Sequence, residues 1–255
     1  MDNPVINQIF THKSIRKFNP KYEIPRDHID IMIKAGQQAS SSCSGQTYSI
    51  IEIPKEKRIS NSICGKQQFI LDASYFAVIC VDLFRLHRIV EQSGGTNPTW
   101  PLTGFMIGIF DAGLMAQNMA LAAESLGYGI CFAGTCGDRS EEIIKELDLP
   151  QYVLPITGIA IGQSLENPPI RPRLPTTMIH HQNKYHQYSA DEIEEGITQM
   201  SDKLEAEGYY RNVSNKNNYT WRDHMKNKFG GDWLNKVEIA RKKSMQNQKF
   251  LSQEE

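Results

Sequence analysis

Cysteine is scarce and unpatterned in this chain: five in 255 residues, at positions 43, 64, 80, 131 and 136, with no Cys-x-x-Cys pair. An odd, scattered set excludes a disulfide framework and a zinc knuckle, and points to free thiols in a reducing compartment. Net charge is nearly absent as well. The 28 basic and 29 acidic side chains leave a formal charge of -1, so no global field draws the chain to nucleic acid or anionic lipid. No Gly-x-Gly-x-x-Gly sits in a strand-to-helix turn, which removes a Rossmann dinucleotide site, and no Gly-x-Ser-x-Gly marks a hydrolase nucleophile. His180, His181 and His186 lack the acidic or cysteine partners of a recognisable ligand set, so no metal is expected. The opening MDNPVINQIF holds Asp2 and no apolar run; no signal peptide is expected there, and a cytoplasmic address is.

What is present is a chain with core-forming capacity. Apolar residues make up 40% and charged ones 22%, ordinary values for a soluble globular protein. Short runs rich in Ile and Val predict strands over 48–53, 75–81, 129–133 and 153–161. Helical patterns lie between them over 26–38, 55–64, 105–126 and 140–147, with another over 191–207. Asp138 with Glu141, and Ser189 with Glu192, have capping-box spacing. The run 105–126 approaches membrane-span length, but Asp111, Gln117, Asn118 and Glu124 interrupt it. That pattern predicts a helix buried in a core or a dimer seam, and no membrane partner. The alternation of helices and strands predicts an α+β or α/β fold, with one domain over 1–255 and a polar, basic C-terminal extension from about 209. Gln92–Leu102 reads as a Gly/Pro loop and the proline-rich 164–177 as an extended crossing segment.

Several short stretches carry chemistry. In an extended chain His12, Ser14 and Arg16 of HKSIRKF share one face, offering an imidazole, a hydroxyl and a guanidinium fork. Ser40, Ser41, Ser42, Cys43, Ser44 and Gly45 form a small, hydroxyl-rich junction that lets a ligand approach the backbone. Gly65-Lys66-Gln67-Gln68 places amides beside a glycine, and the glycines of GYGICFAG can expose backbone N–H groups. In Arg171-Pro172-Arg173, proline fixes the backbone and alternation aligns two guanidinium groups, as a phosphate requires.

Taken in order, HKSIRKF, SSCSGQ before YSIIEI, GKQQ, AAESLGYGICFAG and LPITGIAIGQSLENPPIRPRLP resemble the FMN-dependent nitroreductase superfamily. The match is nearest to the group-A oxygen-insensitive nitroreductases and NADPH–flavin oxidoreductases, and extends from about residue 4 to TWRDH at 220–224. The resemblance implies an α+β fold with a central mixed β-sheet flanked by helices, in an intertwined homodimer whose two FMN sites draw on both chains. It implies an FMN-binding set of His12, Lys13, Ser14, Arg16, Ser41, Ser42, Gln67, Ala133, Gly134, Arg171 and Arg173. Within that set Ser14 and His12 serve the phosphate region with Arg171 and Arg173, and Arg16 lies against the N1/C2=O edge of the flavin, where its charge tunes the ring. No catalytic side chain is implied, because flavin N5 carries the chemistry.

The family reaction is ping-pong hydride transfer from NADPH or NADH to a small-molecule acceptor, such as a nitroaromatic, a quinone or a free flavin. A flavin reductase supplying free reduced flavin is a second enzyme reading, and an FMN-binding sensor or scaffold with little turnover is a third. The chain departs from the pattern at Lys13, where arginine is common, and at Cys43-Ser44-Gly45, where bulkier residues are usual. Around 211–218 only Arg211 and Lys216 remain as candidates for the nicotinamide 2′-phosphate, so both NADPH and NADH stay open.

Overall fold

The computed structural model describes residues 2–96, 100–214 and 219–252. Among them the chain forms two compact units: residues 1–168 with 237–255, and residues 169–236.

In the first unit, α1 (Pro4–Phe10) starts on an Asn3 cap with proline at its first turn, and α2 (Arg26–Gln37) follows an extended stretch. Then come β1 (Tyr48–Glu52), the short helices α3 (Asn61–Cys64) and α4 (Gln68–Asp72), and β2 (Tyr75–Asp82). Next are α5 (Phe84–Gln92), the long α6 (Pro101–Ser125) and β3 (Gly129–Ala133). The helices α7 (Thr135–Asp138) and α8 (Ser140–Glu146) lead to β4 (Val153–Gly162). The sheet order is β1-β2-β4-β3 and every pair is antiparallel; parallel pairing is confined to one bridge, Ser14 to Ile130.

All four predicted strands form, within a residue of their expected ends. β2 is buried on both faces, which is why it reads as a continuous apolar run rather than an alternation. Tyr75, Ala77 and Ile79 face Ala112, Met115, Ala116 and Met119 of α6, while Phe76, Val78 and Cys80 pack with Ile63, Ile70, Cys136 and Ile143. Burial deprives a thiolate of hydration, so Cys80 is held far above the ordinary thiol range and Cys136 is pushed up to about 12.

α6 has the length and apolarity of a membrane span, yet much of that apolarity is spent in this core. Small residues allow it. A Cβ at Gly108 would stand 2.3 Å from Val81 Cγ1, so only glycine lets the helix lie this close to β2. Among the described residues nothing fully covers the opposite side of α6: Leu102, Met106, Ile109 and Phe110 are exposed at helical spacing.

Several boundaries differ from the sequence expectation. The helix predicted over 55–64 resolves into a 3₁₀ turn at Lys55–Lys57 and α3, since Arg58 is drawn inward between them. Its guanidinium donates to the carbonyls of Ile53 (2.8 Å) and Ala73 (2.6 Å), and burial lowers it to about 10. α6 begins at Pro101, four residues early, because proline suits a first helical turn. The capping box predicted at Asp138 and Glu141 does not form. Asp138 belongs to α7 and accepts from Arg241 (2.6 Å), and Glu141 pairs with Lys243 (2.8 Å).

In the second unit, α9 (Ala190–Ala206), α10 (Tyr209–Ser214) and α11 (Trp221–Phe229) surround a small core of Met200, Leu204 and Tyr210. Ser189 with Glu192 forms the expected capping box, and Thr220 with Asp223 forms another. α12 (Asp232–Asn247) carries the chain on to residues 237–255, where Phe250 is fully buried with Val81, Leu83 and Leu154.

Candidate functional site

The HKSIRKF segment carries isolated β-bridges and is fastened on both sides. On one side Ser14 bridges Ile130 of β3, and Ile15 N–H donates to the Ile130 carbonyl (2.8 Å). On the other, Phe18 bridges Ser164, and the backbone amides of Arg16 (2.5 Å) and Lys17 (3.1 Å) donate to Glu166 Oε1. Lys13 Nζ donates to Asn167 Oδ1, and His12 Nδ1 lies 2.6 Å from Glu124 Oε1 near the end of α6. Ile15 and Phe18 enter the core, which anchors the segment while the Arg16 side chain stays exposed. Burial raises the thiol of Cys131, and the positive charge of Arg16 opposes that rise.

Gln67 meets the turn after β3. Thr135 Oγ1 donates to Gln67 Oε1 (2.7 Å), and Gly134 caps α7. A Cβ at Gly134 would meet nothing within 4 Å, so this turn borders open space. Ser14, which shares its segment with Arg16, and Gln67 are thus brought to β3 and the turn after it, which carry Ala133 and Gly134.

Ser41 and Ser42 stand on a separate scaffold. Ser42–Ser44 forms a 3₁₀ turn in which Cys43 and Ser44 hold φ of 50° and 54°, and Gln46 just after it holds 48°. Non-glycine residues held left-handed cost about 1 kcal/mol each. The turn is tied to α6 by Asp111, which is fully buried and accepts from Ser42 N–H (3.0 Å), Thr47 N–H (3.3 Å) and Thr47 Oγ1 (2.9 Å). Among the described residues no hydrogen bond links Ser41 or Ser42 to the set around β3.

Arg171 and Arg173 belong to the second unit. Arg171 Nη1 donates to Glu207 Oε2 (2.8 Å), and its guanidinium lies 3.8 Å from the Tyr209 ring centroid. Arg173 is exposed and donates to the carbonyls of Arg171 and Pro172 (3.2 Å each). Arg211 is exposed on α10, and Lys216 lies outside the described residues.

Chain-wide comparison supplies the lineage of this arrangement. The Nitroreductase family model matches residues 9–163, and the model of the Nitroreductase family C-terminal domain matches residues 171–253. The chain belongs to the nitroreductase family. Within the family, it is 33% identical over 229 residues to "FMN reductase (NADPH)" of Bacillus subtilis, covering 88% of this chain and 91% of the relative. It is 36% identical over 230 residues to an NADPH-dependent oxidoreductase of Staphylococcus aureus, covering 87% and 89%. The solved NADPH:FMN oxidoreductase of Vibrio harveyi, complexed with NAD+, superposes with a TM-score of 0.82 at 30% identity, covering 98% of this chain and 100% of that one.

Sequence reasoning missed the supports of this candidate site: Asp111, Glu166, Asn167, Thr135, and Arg85, whose guanidinium donates to the Tyr48 carbonyl (2.9 Å) beside the Ser42–Ser44 turn. Asp111 left a signal, an acid in the middle of an apolar helix. Glu166 left none, because its partners are backbone amides 149 and 150 residues away in sequence.

Proposed function

We propose that the protein is an FMN-dependent oxidoreductase that uses NAD(P)H to reduce nitroaromatics, quinones or flavins. Kinship along nearly the whole chain with an NADPH-dependent FMN reductase carries this reading. The residues at hand fit the cofactor by their chemistry: an exposed guanidinium, hydroxyls, an amide and a glycine turn facing open space. Bound FMN supplies the hydride-accepting and hydride-donating chemistry, so no side-chain nucleophile is needed. The chain's own work is binding and tuning. Arg16 supplies a fixed positive charge to the flavin edge, Ser14 and His12 serve the phosphate end, and Gln67, Ala133 and Gly134 border the ring; Arg171 and Arg173 are the phosphate candidates of the second unit. Arg211 and Lys216 are the candidates for the nicotinamide 2′-phosphate.

In this reading the site is shared between two copies. The exposed apolar face of α6, with Met106 and Phe110 both about two-thirds exposed, suits burial against a second chain. A dimer also gives Ser41 and Ser42 a route to the β3 set, to which no hydrogen bond joins them within the described residues of one chain. The cytoplasm suits the five free thiols. Reconstitution with FMN followed by anaerobic mixing with NADPH or NADH tests the proposal. The flavin absorbance is expected to bleach and to return on adding a quinone or nitroaromatic. Protein that takes up no FMN would refute it.

A further inference from the structure

The turn that carries Ser41 and Ser42 is held by two charges of opposite sign. From inside, the buried Asp111 carboxylate accepts from the amides of Ser42 (3.0 Å) and Thr47 (3.3 Å) and from the Thr47 hydroxyl (2.9 Å). From the rim, the Arg85 guanidinium donates to the carbonyls of Gln46 and Tyr48, the latter at 2.9 Å. Arg85 is itself oriented by Asp82, whose Oδ2 lies 3.3 Å from Nη1 and also accepts from Ser49 Oγ (2.5 Å). An anion thus takes the turn's N–H groups and a cation takes its C=O groups, each matched to the peptide dipole it meets. Between the anchors lie the three left-handed residues Cys43, Ser44 and Gln46. Left-handed backbone persists at such residues only where the surroundings over-determine it.

Resting on the flavin reading above, we propose that Asp111 and Arg85 are positioning residues that pre-set the Ser41–Ser42 wall, so that FMN meets a formed turn instead of ordering one. Neither residue needs to touch the cofactor. Their effect reaches it through the shape of residues 42–47, and preorganisation of that kind appears as binding affinity.

Hydrogen exchange of the apoprotein and FMN affinity, measured on Asp111→Asn and Arg85→Gln, test this together. Asp111→Asn sets an amide group against two N–H donors. Arg85→Gln acts at the rim, where the side chain is 46% exposed and the core is not at risk. The expected result, from losing charge-assisted bonds, is exchange at residues 42–47 accelerated about tenfold with β2 and β4 unchanged, and an FMN Kd raised about tenfold. Unchanged exchange in Arg85→Gln would overturn the two-charge clamp. Faster exchange with wild-type FMN affinity would overturn the link between the turn and the cofactor. Wild-type protein that binds no FMN would overturn the flavin reading and this proposal with it, a result separable from the other two because the variants are not involved.

Discussion

A single exposed guanidinium at position 16, on a segment bolted to β3 and to Glu166, has little to do for stability. Its removal should register in the cofactor. Arg16→Ala is expected to weaken FMN retention and to lower the flavin reduction potential by on the order of 30 mV, read by spectroelectrochemistry. An unchanged potential would remove Arg16 from the flavin edge. The two arginines of the second unit separate by the same logic. Arg171, bound to Glu207 and stacked on Tyr209, should cost about 1 kcal/mol of stability when changed to Ala. Arg173→Ala should leave the melting temperature alone and weaken FMN binding about tenfold through the lost phosphate contact, measured by fluorescence titration. The sequence placed both guanidinium groups in one alternating run. It did not reveal that Glu207 and Tyr209, more than thirty residues later, engage one of them. Local pattern carries side-chain direction, and tertiary partners decide what that direction meets.

The regular elements follow from local rules wherever the rule is strong. β2 and β4 are apolar runs buried on both faces, and the box at Ser189 and Glu192 closes as spaced. The box at Asp138 and Glu141 fails because Arg241 and Lys243, roughly a hundred residues on, compete for those carboxylates. The helices Pro4–Phe10 and Phe84–Gln92 went unforeseen; both are short and lie at the surface, with no residue fully buried. Two predictions belong at this scale. Ser189→Ala and Thr220→Ala should each destabilise the second unit by about 1 kcal/mol, read by chemical denaturation. The carboxyls they cap, Glu192 and Asp223, are held below their ordinary values, first of all by the backbone amides of Ser189 and Thr220. A lowered folded-state value means stability that is present above the ordinary carboxylate range. It is lost as pH falls through that range, about 4, toward the depressed values. Thermal melts between neutral and acid pH should therefore show a decline that the two alanine variants blunt only in part, since they lose the hydroxyl donors and keep the backbone amides.

In the molecule as a whole, the long apolar helix α6 links the core, the candidate site and an exposed apolar face. One side of α6 supplies the core of the sheet, Asp111 on that helix fixes a wall of the candidate site, and the exposed side asks for a partner. Phe110→Glu should turn a dimer into monomers on sedimentation, and because the site is read as shared, FMN should leave with the partner. A monomer that keeps FMN would refute the shared site. The fold class and the family could be read from ordered motifs, since each motif answers to a backbone need. The proposed second copy was legible only by resemblance, because no single-chain pattern distinguishes a core helix from a seam. The most direct test of the central claim is rapid mixing of FMN-loaded protein with NADPH, and separately NADH, without oxygen. The account predicts prompt loss of the oxidised flavin absorbance with at least one nicotinamide, and its return on adding a quinone or nitroaromatic. Bound flavin that stays oxidised with both would contradict it.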